Sequence, residues 1–172
     1  MLVMKKFYRE VAGVQTAFLY GQLDKDLYLK IPKGYREYMK DNNQEVDGGF
    51  LKLNKSIYGL VQAARSWWKK FVETLIKKMK FTKCQSDGCL LKRTNEEGTC
   101  YLMIYVDDCF ITGKKIFVKK ALDEIEQYFD IKRSKDIKDF IGCLIRIWGE
   151  RHHSLSTGFN QETFIELWRK RE

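Results

Sequence analysis

No run of apolar residues in this chain approaches the roughly 18 that a helix needs to cross a bilayer, so no membrane partner is expected. Internal repeats and low-complexity tracts are also missing, which leaves a single globular unit as the simplest plan. The opening stretch Met1-Leu2-Val3-Met4-Lys5-Lys6 has neither the apolar core nor the cleavage site of a secretory leader. Proline occurs once, at Pro32, and histidine twice, at His152 and His153. The five cysteines include no Cys-x-x-Cys pair. An odd count without that spacing fits a reducing intracellular compartment, cytoplasm or nucleus, better than a disulfide framework. Cys84 and Cys89 with the two histidines match no spacing typical of a zinc site.

What is present bounds the answer further. A chain of 172 residues can bury one real core and is too short for two comfortable ones. Hydrophobic residues at 44% and aromatics at 14% exclude general disorder. Thirty-two Lys and Arg stand against 23 Asp and Glu, a formal charge of +9. That excess suits a polyanion such as nucleic acid, although an ordinary basic protein would share it.

The most informative stretch runs from Tyr101 to Gly113, two apolar segments of strand length flanking Asp107 and Asp108. Its β-branched and aromatic content favours strands, and the reading is a hairpin whose tight turn holds both acids. Adjacent carboxylates repel and are costly to bury without a counter-charge. Such a turn is solvated, paired with basic side chains, or occupied by a divalent cation.

Around this hairpin, residues 11–20 read as a strand running into a short helical turn closed by Gly21. Leu27 to Ile31 alternates as a strand until Pro32 and Gly34 end it, and residues 40–49 are polar loop. Phe50 to Leu53 alternates briefly, and Ser56 to Gly59 turns. From Ala63 to Lys80 the apolar period becomes helical through Trp67, Phe71, Leu75 and Met79, with Lys69, Lys70, Lys77, Lys78 and Lys80 around the stripe. Gly88 to Lys92 reads as a strand, 115–129 as a second amphipathic helix and Phe140 to Ile147 as another strand. A final helix over 161–171 is expected, capped by Asn160, with Phe164, Leu167 and Trp168 on its apolar side. The plan is α+β: an antiparallel sheet, close to a split βαβ arrangement, with helices packed on one face.

At Tyr105-Val106-Asp107-Asp108 the chain resembles the reverse transcriptase of copia-type LTR retrotransposons, and the resemblance extends over nearly its whole length. Thr16-Ala17-Phe18-Leu19-Tyr20-Gly21 is similar to that family's first catalytic strand region. Leu27-Tyr28 through Pro32, Gly34 and Tyr35 resemble the segment after it. Lys55 to Leu60, then Gln62-Ala63 and Arg65 to Trp67, resemble its nucleotide-side motif, and Phe140-Ile141-Gly142 the strand beyond the second helix. The resemblance implies a polymerase palm with partial fingers over residues 1–150 and the start of a thumb-like segment over 151–172. Most of the fingers would lie upstream of residue 1.

In such a palm a primer 3′-hydroxyl attacks the α-phosphate of a dNTP, assisted by two Mg²⁺ ions. The implied partners are an RNA or DNA template-primer duplex, dNTP, and the remainder of a retrotransposon polyprotein. By position, Asp107 is the implied metal ligand, Asp108 its catalytic neighbour, and Val14 a backbone donor to the metal. Phe18 matches the aromatic position that excludes a 2′-hydroxyl, and Tyr58 and Gly59 would line the dNTP site. Lys55 or Arg65 could pair with phosphates or template.

The departures are as informative. The family pattern has an aspartate three residues before the threonine of its first strand region, and here that position is Gly13. Ala64 and Gly88 stand where the family has proline, Gln15 replaces a usual lysine, and Arg133-Ser134-Lys135 replaces an Asp-Leu-Gly turn. The resemblance therefore implies a polymerase fragment impaired by the loss of a metal-binding carboxylate. One alternative is a nucleic-acid-binding module that has lost the chemistry. Another is a working enzyme in which Glu10 supplies the missing ligand, against which its odd offset from Gly13 points it to the other face of a strand.

Overall fold

A computed structural model describes residues 7–46, 48–96, 98–135, 139–140, 143–148 and 164–169. The chain divides into two compact units, one of residues 16–72 and one of residues 1–15 with 73–172. The second carries the main sheet.

Six strands build that sheet: β1 (Tyr8–Val14), β4 (Thr82–Lys83), β5 (Leu90–Asn95), β6 (Gly98–Tyr105), β7 (Asp108–Gly113) and β8 (Ile131–Ser134). Their spatial order is β4-β5-β6-β7-β1-β8, every neighbouring pair antiparallel. Residues facing each other across an antiparallel ladder share a face of the sheet. The pairs Leu91↔Leu102, Leu102↔Ile111 and Glu10↔Ile111 therefore define one face across four strands. Ala12, Val14, Leu91, Cys100, Leu102, Ile104, Cys109 and Ile111 are all buried there.

The helix α3 (Lys115–Glu126) covers this face with Phe117, Val118, Ala121, Leu122 and Ile125. Arg93 stands on the same face and ties two helices to it. Its guanidinium donates to the Met79 carbonyl at 3.1 Å, at the end of α2 (Ala63–Met79), and to Glu124 of α3 at 2.6 Å. The rings of Phe81 and Phe117 lie 5.1 and 4.6 Å from its central carbon. A charge this buried is tolerable only because ion pair, carbonyl and ring faces replace its water.

In the other unit, β2 (Tyr28–Lys30) pairs with β3 (Phe50–Lys52). A short helix, α1 (Tyr35–Asp41), lies between them in sequence. Residues Ala17–Tyr20 form a single 3₁₀ turn. The first half of α2 anchors the unit through Trp67, which stacks on Phe71 at 4.8 Å and meets Tyr20 at 6.0 Å. Gly21 allows this closeness, because a Cβ there would sit 3.0 Å from the Trp67 backbone nitrogen.

The α+β class and the antiparallel sheet agree with the sequence expectation, and three points are corrected. Phe164–Arg169 is a strand, β11, paired antiparallel with β10 (Cys143–Trp148), which also pairs with β9 (Asp139–Phe140). Phe-Ile-Glu-Leu-Trp fits a helical stripe and a strand alternation equally well, and pairing with β10 decides between them. The loop expected over 40–49 starts only after Asp41, because Tyr35–Asp41 is helical although none of its residues is buried, so no apolar period signalled it. The acidic turn consists of Val106 and Asp107, with Asp108 already in β7. Met1 to Lys6, Ile141, Gly142, His152, His153, Asn160 and the rest of 151–163 lie outside the described residues, and with them most of the expected thumb-like segment.

Candidate active site

The β6–β7 ladder closes with Tyr105 opposite Asp108, leaving Val106 and Asp107 as a two-residue turn. So tight a connection demands left-handed backbone at its first position. Val106 adopts it, with φ of 53°, and a β-branched residue is strained there. The turn is also fastened from the side, because the Val14 amide donates to the Asp107 carbonyl at 2.8 Å. In extended chain a residue's N–H and C=O leave the same edge, so the Val14 carbonyl belongs to the edge facing the acids.

Asp108 projects from the face opposite the helices. Its direct partner in β1 is Gly13, and Gly13 in turn pairs with Lys132 of β8. Tyr105, Asp108, Gly13 and Lys132 thus form one row across four strands on the face opposite α3, at the end of the sheet away from the buried Phe110 and Thr112 of the same face. The carboxylate leans toward β1, since a Cβ on Gly13 would lie 3.0 Å from Asp108 Oδ1. Burial first, and then the Asp107 charge beside it, push the Asp108 carboxyl above its ordinary value.

Glu10 cannot complete this site. It is 5% exposed on the helix face of β1 and accepts a hydrogen bond from the Tyr8 hydroxyl at 2.8 Å. The alternation of strand side chains, which argued against it in the sequence, holds in the structure. Among the described residues no cluster of three His, Cys, Asp or Glu could hold a metal ion. Two carboxylates from one turn, facing a glycine, do not match the donor set for a pair of Mg²⁺ ions, which need acids converging from two strands.

The dNTP candidates fall in the unit of residues 16–72. Phe18 in the 3₁₀ turn and Tyr58 come together with ring centroids 4.5 Å apart at 37°. Gly59 follows in left-handed backbone, φ 94°, with open space where a Cβ would point. Asp107, Asp108 and Val14 form one cluster in the sheet, and Phe18, Tyr58 and Gly59 form another.

Sequence reasoning missed Lys132. No motif marks it, and only the β1–β8 register places it beside Gly13.

Residues 6–153 match the family model described as reverse transcriptase (RNA-dependent DNA polymerase). The retrovirus-related Pol polyprotein from transposon TNT 1-94 of Nicotiana tabacum is 35% identical over 159 residues, 91% of this chain and 11% of that protein. The corresponding polyprotein from transposon RE2 of Arabidopsis thaliana is 34% identical over 75% of this chain and 8% of its own length. A putative transposon Ty5-1 protein of Saccharomyces cerevisiae is 29% identical over 84% of this chain and 43% of its own length. The chain thus spans about a tenth of the two plant polyproteins.

Proposed function

The chain belongs to the reverse transcriptase family of RNA-dependent DNA polymerases, and from that membership we propose that it is a palm fragment whose nucleotidyl-transfer site is disabled. In this reading residues 1–150 are palm with partial fingers, and 151–172 begin a thumb-like segment. The product is intracellular and would have acted on a template-primer duplex and dNTP as part of a longer polyprotein. Phe18, packed on Tyr58, would sit where a 2′-hydroxyl is excluded, and Asp107 and Asp108 are what remains of the metal site. The observation that carries the reading is Gly13, which stands directly opposite Asp108 in the β1–β7 ladder at the point where the family pattern has an aspartate.

The test is primer extension by the purified chain on RNA and DNA templates with Mg²⁺ or Mn²⁺. No incorporation is expected. Template-dependent incorporation that Asp107→Asn abolishes would overturn the proposal.

A second reading, a nucleic-acid-binding module without chemistry, is favoured by one feature. Lys69, Lys70, Lys77 and Lys78 are all exposed along α2 in a chain of charge +9. Binding to an RNA–DNA duplex would then weaken steeply with salt, as released counterions cease to contribute. Affinity that stays flat between low and moderate salt would remove it.

A further inference from the structure

We propose that the N-terminal end of α3 is a nucleic-acid contact in its own right, with Lys114, Lys115 and Lys119 pairing with backbone phosphates on the side of the sheet opposite the acidic turn. The inference goes beyond both readings above, since it involves neither Asp107 and Asp108 nor the lysines of α2.

The order of charge along α3 carries it. Lys114, Lys115, Lys119 and Lys120 are all exposed at the N-terminal end, whereas Asp123, Glu124 and Glu126 fall in the C-terminal half. The first turn has no acid and the last no base. That order opposes the helix dipole, which favours acids at the start and bases at the end. Lys115 and Lys119 also stand one turn apart, where like charges repel. Nearby groups do not relieve them. The acid one turn beyond Lys119 is Asp123, and its Oδ1 is already held by Arg133 Nη2 at 2.7 Å. Among the described residues Lys114, Lys115 and Lys119 form no ion pair, and Lys115 has only the Tyr8 ring, 5.7 Å from its Nζ. The fold therefore gains nothing from these charges where they stand.

Charge complementarity singles out a phosphate backbone as the occupant. The apolar residues of α3 are buried against the sheet, so a lipid surface would find only Ile116, which is 72% exposed. One apolar side chain is too little to hold a helix in a lipid interface. A row of phosphates needs no apolar contact. Lys115 and Lys119 lie about 6 Å apart along the helix axis, close to twice the rise of about 3.4 Å per phosphate on one strand of a duplex. Each lysine that reaches a phosphate releases the counterions condensed there, which makes the contact favourable without any base being read.

The test is fluorescence anisotropy of a labelled DNA duplex titrated with the full chain from low to moderate salt. Wild type is compared with a triple variant, Lys114→Gln, Lys115→Gln and Lys119→Gln. A control removes the same charge from three other exposed lysines, Lys25→Gln, Lys33→Gln and Lys40→Gln. The α3 variant should lose about 2–3 from the slope of log affinity against log salt, roughly one per phosphate contact, and bind about tenfold or more weakly at low salt. The control should stay close to wild type. Replacing the same three α3 lysines by arginine keeps the charges and should keep the binding. The glutamine variant should melt no lower than wild type, since it removes charges that oppose the helix dipole. An unchanged slope in the α3 variant, an equal loss in the control, loss of binding in the arginine variant, or no duplex binding by wild type would each overturn the proposal. So would wild type binding phosphatidylserine vesicles in place of the duplex. None of these outcomes turns on primer extension, so this inference and the reading of a disabled polymerase site fail separately.

Discussion

Gly13 and Asp108 are direct partners in the β1–β7 ladder, and a Cβ at position 13 would come 3.0 Å from Asp108 Oδ1. Restoring an aspartate there would place a second carboxylate in the row, beside that of Asp108, with the flexible end of Asp108 yielding by a few tenths of an ångström. Like charges directly opposite in a sheet cost up to about 1 kcal/mol. Gly13→Asp should therefore lower the melting temperature in EDTA by about 2–4 °C. Millimolar Mg²⁺ should reverse the loss by drawing the acids together, and Gly13→Ala should show no such rescue. Calorimetric scans with and without Mg²⁺ read both effects, and a Gly13→Asp chain indifferent to Mg²⁺ would count against a site lacking only this ligand.

Val106 gives a second prediction. Its φ of 53° is unfavourable for a β-branched residue, and its side chain is 46% exposed, so little burial is at stake. Relief of backbone strain is worth about 1–3 kcal/mol, against about 0.5–1 kcal/mol for the extra freedom of glycine in the unfolded chain. Val106→Gly should thus stabilise the fold by about 1 kcal/mol in urea denaturation. A loss of stability would mean that the valine side chain contributes packing that its exposure does not reveal.

The sequence revealed the sheet well where the signal was apolar alternation. β6 and β7 were legible because both are long and apolar, and the acids between them stood out chemically. β8 was not legible, since Ile-Lys-Arg-Ser has a single strong apolar residue and owes its strand state to pairing with β1. Missing β8 meant missing Lys132. The C-terminal strand β11 was read as a helix because six residues of mixed apolar and charged type satisfy both periods. Glu10 illustrates the opposite case, where simple parity along the strand correctly assigned a side chain to the helix face.

Tyr8 and Glu10 form a hydrogen-bonded pair beneath the sheet at 2.8 Å. Burial, followed by the hydrogen bond to Glu10 and that residue's charge, raises the Tyr8 hydroxyl above its ordinary value. The folded state thus holds the proton more tightly than the unfolded one. Stability should be fully present below about pH 10, the ordinary tyrosine value, and decline as the pH rises through the folded one. Tyr8→Phe should flatten that alkaline decline and cost about 1 kcal/mol at neutral pH. Urea unfolding as a function of pH measures both, and an unchanged alkaline slope in the variant would exclude Tyr8 as its source.

The cysteines should separate by reactivity. Burial pushes the Cys100 thiol up to about 11, and burial followed by the charges of Asp108 and Asp107 pushes Cys109 higher still. Cys84 and Cys89 are half-buried free thiols outside that core. At pH 8 a thiol reagent should label Cys84 and Cys89 in the native chain, and Cys100 and Cys109 only after unfolding. Mass spectrometry of the labelled peptides distinguishes the sites. Native labelling of Cys109 would mean that the sheet opens beside the acidic turn.

Arg93 gives the largest expected effect. Its side chain is 10% exposed and its partner Glu124 28%, with contacts of 2.6 and 3.3 Å between them. Removing one member of a buried pair typically costs about 3–5 kcal/mol, because the other is left uncompensated. The partial exposure of Glu124 places Arg93→Ala near the lower end of that range. Arg93→Lys should recover little, since an ammonium cannot bond Glu124 twice, reach the Met79 carbonyl and lie flat between Phe81 and Phe117 at once. Arg93→Met with Glu124→Gln should recover more, because it leaves a long apolar stem between the rings and no lone charge. Urea denaturation of the four chains ranks them, and a lysine variant as stable as wild type would show that charge alone, rather than the planar fork, holds the two helices to the sheet.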